Sequence, residues 1–281
     1  MGRQTSMTEL PPQERPKRSP RLVPWLLVPL TLLAVVGAWF AFHPGFRWGP
    51  SGAHLAAAMP KDEFERRVRA YLLEHPEVIA EAISRLESQQ GVQEATEVQA
   101  VLQSRAGEVF RDPDSPVGGN PDGDVTLVEF FDYNCPYCRQ VAPLLLEAVA
   151  ADPRLRVVFK EFPILGPNSA FAAKAALAAH KQGKYLAFHD GLMKARGVTD
   201  ERKVLEVAAA VGLDVDRLKA DMEAPAIQGL LDRNLDLARA LRINGTPGFA
   251  AGDKVVMGAT DLRGLQALIS EARNGRSTAG K

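Results

Sequence analysis

The spacing of apolar and polar residues changes character along the chain, and each change predicts a different kind of element. From Leu22 to Phe42 there are 21 residues without a charge. At about 1.5 Å per residue such a helix spans a bilayer core of about 30 Å. Between residues 61 and 110 the apolar positions recur at helical spacing. Phe64, Val68, Tyr71 and Leu72 form one run, and Val78, Ile79, Ala82, Ile83 and Leu86 form another. Asp62 followed by Glu65 reads as a capping box, and Pro76 as the first residue of a second helix. Polar, Gln-rich sequence carries this region to about Phe110.

From Asp124 the period shifts. Val125–Phe131 is a β-rich run suited to a buried strand, and Leu155–Phe159 is a second. Between them Val141, Leu144, Leu145 and Val149 mark a helix. Strand, helix and strand with short joins predict a βαβ unit, a parallel pair with a right-handed crossover. The next stretch reads as helical. Asn168 or Ser169 caps an Ala-rich helix, Thr199 or Asp200 caps another, and Ile227, Leu231, Leu235, Ala238 and Leu241 mark a third. Gly248–Ala251 and Lys254–Met257 flank Gly252-Asp253 as a hairpin. A last helix starts near Thr260 or Asp261 and stops near Asn274-Gly275.

The expected organisation is therefore a cytoplasmic tail (1–21), a transmembrane anchor (22–42), a linker (43–60) and a helical region (61–110). A flexible boundary (111–123), an α/β domain (124–274) with a helical insertion at about 166–243, and a disordered tail (275–281) follow. Arg3, Lys17, Arg18 and Arg21 precede the apolar segment and Arg47 follows it, which places the N-terminus in the cytoplasm and the rest outside. Trp25, Trp39 and Trp48 fall near the two interfaces, and Pro24 and Pro29 near the segment's start. A cleaved signal peptide or a buried helix are the other readings of Leu22–Phe42, and the first of these also exports the remaining chain. The apolar stripe of residues 61–90 needs a covering surface, either its own domain or the same region of another copy. The flexible boundary after it favours a homo-oligomer.

Charge and cysteine content narrow the chemistry. Lys plus Arg and Asp plus Glu are 34 each, and neither a basic run nor a Gly-rich phosphate loop occurs, which argues against a nucleic-acid partner. The two cysteines, Cys135 and Cys138, are too few for a disulfide-stapled scaffold, and the five histidines form no spaced pair for a zinc site. No metal and no cofactor are expected. A Cys-Pro-Tyr-Cys tetrad between a strand and a helix has a redox logic. The helix N-terminus offers unpaired N–H groups and partial positive charge that stabilise a thiolate at Cys135. Pro136 suits the first turn, and Cys138 lies within reach to resolve a mixed disulfide. An inert local bridge and half of a shared metal site are the other readings.

Glu129, amid Val128 and Phe130, reads as a buried acid beneath the tetrad that relays the proton of Cys138. The alternative is a solvated or structural position, with Lys160 as its charge partner. Thr246-Pro247 enters the hairpin; a cis bond there would leave backbone groups free for an extended substrate.

VEFFDYNCPYC (Val128–Cys138), VVFKEFPILGPNS (Val157–Ser169) and GTPGF (Gly245–Phe249) resemble the DsbA-like branch of the thioredoxin superfamily. The resemblance implies a thioredoxin-like fold with Cys135 as nucleophile and Cys138 as resolving thiol. It further implies Glu129 as the buried acid, with Pro136, Tyr137 and the cis-proline loop Thr246-Pro247 around them. YLLEHPEVIAEAI, within Val68–Ile83, resembles the N-terminal helical region of suppressor-of-copper-sensitivity disulfide isomerases, which in some members mediates oligomerisation. Pro-Tyr replaces the Pro-His of typical strong oxidases, so one thiolate partner is missing. The implied activity is thiol–disulfide exchange on extended or unfolded exported proteins, oxidase before isomerase, with a membrane or periplasmic redox partner. From another class, the Cys pair could hold copper(I) in a metal-handling or chaperone-like protein, or the chain could be a structural tether.

Overall fold

The computed structural model describes residues 59–279, with side chains for 59–275. They divide into two compact units, the first ending at Pro76 and the second beginning at Glu77. The first contains α1, Lys61–Glu74. Its N-cap is Pro60, with no side-chain cap bond, so the capping box expected at Asp62 and Glu65 does not form. Both residues instead lie inside the first turns and pair with Arg66 and Lys61 four residues away. Nothing in α1 is buried; Phe64, Val68, Tyr71 and Leu73 are exposed apolar side chains.

The second unit opens with α2, Glu77–Ser104, one residue after Pro76. Polar Gln-rich sequence does not end this helix, because helix propensity of Glu, Gln and Ala needs no buried stripe. Its first turns expose Ile79, Ile83 and Leu86, while Leu102 near its end is buried. α3, Ala106–Phe110, buries Val109 and Phe110 against Val128, Phe130 and Val158.

Residues 111–123 are no flexible boundary. They hold β1, Val117–Gly119, paired antiparallel with β3, Leu155–Glu161. Pro116 O accepts from Phe159 N at 3.0 Å, and the Ser115 hydroxyl donates to Asp112 at 2.8 Å. Gly119 sits at φ +66°, where a side chain would strike the Leu155 carbonyl. Turn-forming composition here marks a tight, ordered entry into the sheet.

β2, Val125–Phe131, lies at the centre of the sheet, parallel to β3 and antiparallel to β4, Gly248–Ala251; β5, Lys254–Met257, is the far edge. All seven residues of β2 and of β3 are buried, as expected for central strands covered on both faces. Leu127 and Phe131 join a core with α4, Pro136–Ala151, and α10, Leu262–Ala279. Val128 and Phe130 face the opposite core, made by the end of α2, α3 and α9, Pro225–Ala240.

The insertion between β3 and β4 contains α5, Pro167–Lys181; α6, Tyr185–Lys194; α7, Glu201–Ala210; α8, Val215–Met222; and α9. Asp200 caps α7 by accepting from Lys203 N. α5 starts from Gly166 with Pro167 in its first turn, not from a cap at Asn168 or Ser169, because Ser169 is committed to Asp132. α10 runs through Gly275 to Ala279, past the stop expected at Asn274-Gly275. Glycine inside a helix costs only about 1 kcal/mol, so it does not force a terminus. Among the described residues no helix is long and apolar enough to cross a membrane; Leu22–Phe42, where a span is expected, lies outside them.

Candidate active site

β2 delivers the chain to a short loop, 132–135, from which α4 departs. Cys135 is the N-cap of α4 with extended backbone (φ −79°, ψ 118°), and Pro136 is in its first turn. The loop closes on itself through Cys135 N donating to Asp132 O at 3.1 Å. Both cysteines are free thiols. Both are buried, Cys135 at 4% exposed and Cys138 at 0%, so Cys135 is the less completely covered of the two. Its Sγ lies 3.2 Å from Thr246 O, to which the thiol donates. The Thr246-Pro247 peptide bond is cis, and Pro247 leads into β4. Tyr137 projects outward, 59% exposed.

Glu129 is buried on the α4 face of β2, flanked by Leu127 and Phe131. Among the described residues neither carboxyl oxygen has a hydrogen-bond partner. Burial pushes its pKa up to about 8. Burial also pushes the Cys138 thiol well up, and the negative charge of Glu129 adds to that shift. Glu129 and Cys138 are therefore electrostatically coupled under the helix start. Lys160 is not part of this pair. Strand register sets Glu129 opposite Phe159 and Lys160 opposite Phe130, so Lys160 faces the other side of the sheet. There its ammonium binds Asp112 at 2.7 Å, with only 1% of the side chain exposed. Two adjacent strand positions point to opposite faces, which rules the expected partnership out.

Several residues that shape the site carry no motif. Asp132 accepts from Asn134 N (2.8 Å), Ser169 Oγ (2.7 Å) and Leu165 N (2.9 Å), tying the tetrad loop to the segment after β3. Asn134 accepts from Thr199 N at 2.8 Å, and Arg139 donates to Tyr133 O at 2.8 Å and Gly197 O at 2.6 Å. The insertion is thus bonded directly to the dithiol loop. Beneath it lies a buried polar cluster. Tyr133 and Tyr185 donate to Glu161 Oε1 at 3.1 and 2.8 Å, and His189 Nδ1 is 3.1 Å from the Tyr133 hydroxyl. Burial raises the Glu161 carboxyl well above its usual range. The signal that singled out Glu129 was absent for Glu161, which ends β3 beside Lys160 in a strand that also carries Arg156. Among the described residues no group of three His, Cys, Asp or Glu side chains is placed to hold a metal ion.

A dithiol at the start of a helix, faced by a cis-proline loop and lying on a mixed sheet with a helical insertion, defines a thioredoxin-like thiol–disulfide exchange protein. Residues 126–270 match the family described as DSBA-like thioredoxin domain, and the chain belongs to that family of thiol:disulfide oxidoreductases. Residues 61–93 match the copper resistance protein ScsC N-terminal domain. A thioredoxin-like oxidoreductase from Silicibacter pomeroyi DSS-3 is 49% identical with a TM-score of 0.59, over 60% of this chain and 97% of that one. The chain is 30% identical over 164 residues to the Na(+)/H(+) antiporter NhaA 3 of Salinispora tropica, spanning 57% of this chain but only 25% of the antiporter. It is 29% identical over 142 residues to a probable disulfide bond formation protein D of Bacillus cereus, across 46% of this chain and 66% of that protein.

Proposed function

We propose that this protein forms disulfides in exported polypeptides, held at the outer face of a bacterial inner membrane by Leu22–Phe42. The observation that carries the chemistry is the asymmetry of the two cysteines: Cys135 is the N-cap of α4, slightly exposed and facing Thr246 O, whereas Cys138 is fully buried and feels the charge of Glu129. In the oxidised form a substrate thiolate attacks Cys135 Sγ. The Cys135–Cys138 bond breaks, a mixed disulfide forms, and Cys138 leaves with the electron pair. A buried thiolate beside a carboxylate is unfavourable, so Glu129, protonated at neutral pH, supplies the proton. A second substrate thiolate then attacks the substrate sulfur of the mixed disulfide. Cys135 leaves as thiolate, the substrate is oxidised by two electrons, and the enzyme dithiol is returned to the disulfide by a membrane or periplasmic redox partner.

Apolar side chains exposed around the loop support an unfolded or extended substrate. Tyr137, Leu165 and Val198 are all more than half exposed, and Leu165 N and Thr199 N are bonded to the dithiol loop itself.

Isomerisation is the second reading, favoured by the ScsC-type match and by the uncovered apolar side chains of α1. In it, residues 61–90 assemble copies of the chain so that several dithiols face one substrate. The test compares full-length protein on reduced and on scrambled ribonuclease, with light scattering on the same sample and a copper(I) titration alongside. Faster recovery from reduced ribonuclease supports the oxidase. Faster recovery from the scrambled form by a stable oligomer moves the assignment to isomerase. Stoichiometric copper(I) binding with no exchange on either substrate overturns both.

A further inference from the structure

A second feature lies away from the dithiol, at the far half of α4. Between β1, α4 and α6 is a cavity of about 180 Å³. Leu145, Leu146, Val149, Phe159, Leu186 and Met193 give it an apolar wall. An engineered cavity of about 150 Å³ accepts benzene, so one six-membered ring fits.

The wall has one interior polar group, the ring of His189, which is 7% exposed. Asp190, also at the cavity, is paired with Lys194 at 2.7 Å. The Tyr133 hydroxyl donates its hydrogen bond to Glu161, which leaves its oxygen to accept from His189 Nδ1–H; in that tautomer Nε2 is the acceptor. Burial holds this imidazole neutral, its pKa lowered to about 3. Nδ1 is turned toward Tyr133, and Nε2, on the other edge of the ring, has no hydrogen-bond partner among the described residues.

We infer that this cavity is a binding site for small ring compounds carrying one hydrogen-bond donor, of the size of phenol. The ring packs between Phe159, Leu145 and Met193, and the donor meets His189 Nε2. The site is separate from Cys135 yet joined to its loop, since His189 bonds Tyr133 and the Tyr133 carbonyl bonds Arg139.

The test is ligand-observed ¹⁹F NMR on the full-length protein with 4-fluorophenol and fluorobenzene. The phenol should bind about five-fold more tightly, the value of one buried hydrogen bond. Ala142→Phe fills the cavity from α4, and Leu186→Trp closes its exposed rim; each should reduce phenol binding at least ten-fold while insulin reduction and the thermal midpoint stay unchanged. The second variant keeps the test decisive should the first fail to fold. Equal affinity for the two rings, or phenol binding undiminished in a folded variant, overturns the assignment.

Discussion

Replacing Glu129 by Gln offers a direct test of how the acid beneath the dithiol behaves. In the unfolded chain its carboxyl ionises near 4.5, and in the folded protein near 8. A raised folded-state pKa means that the protonated form is the one the fold accommodates. The associated stability is complete below the unfolded value and is lost as pH rises through the folded one. At 1.36 kcal/mol per pH unit, ionisation costs the wild type about 1 kcal/mol at pH 5 and about 3 kcal/mol at pH 7. Gln has the shape of the protonated acid and no proton to lose. The variant should therefore melt about 2–4 °C above wild type at pH 5 and about 6–12 °C above it at pH 7. The assay is circular dichroism melting of both proteins at half-unit steps from pH 5 to 8.5. A difference in midpoint that does not change with pH refutes the buried-acid argument. The same variant should exchange disulfides at least ten-fold more slowly, since Cys138 must then leave without its proton donor.

Other outcomes follow from the same geometry. Cys138→Ser should accumulate a mixed disulfide at Cys135 when given a disulfide-bonded substrate, one substrate sulfur leaving as thiolate, visible by non-reducing gel and mass spectrometry, whereas Cys135→Ser should capture nothing, because Cys138 is fully buried. Asp132→Ala removes the acceptor of three hydrogen bonds and should lower stability by about 2–4 kcal/mol in urea titration. Asp112→Ala leaves the buried Lys160 ammonium unpaired at a cost of about 3–5 kcal/mol. Adding Lys160→Met to it should recover most of that loss, and a double variant as unstable as Asp112→Ala would show the pair to be irrelevant. Phe64→Glu with Tyr71→Glu should lower the mass measured by light scattering if residues 61–90 assemble copies of the chain.

The central βαβ unit is legible because its strands are rich in Val, Leu and Phe and its helix has a clear stripe. The hairpin was legible because Gly252-Asp253 is a strong turn signal. What escaped the sequence has common physical causes. β1 has two glycines in three residues, and its strand character comes from the β3 edge it pairs with, which is a long-range fact. α8 is short and buries only Leu218 and Met222 among charged residues, so its own period is weak, whereas α6 carries a full stripe of Tyr185, Phe188, His189, Leu192 and Met193. At the site, the tetrad and Pro247 are marked by residue type. Asp132, Asn134, Arg139 and Thr199 act through bonds between distant segments, which no local pattern encodes. Lys160 faces away from Glu129 because strand register, not residue type, decides which face a residue joins.

The bond from Cys135 to Thr246 spans 111 residues, and that from Asn134 to Thr199 spans 65. A chain emerging N-terminus first displays its two thiols long before the segments that restrain them have been made. For that interval the dithiol is an ordinary pair of unguarded cysteines, open to exchange with any neighbouring disulfide, and selectivity arrives only when β4 closes the sheet.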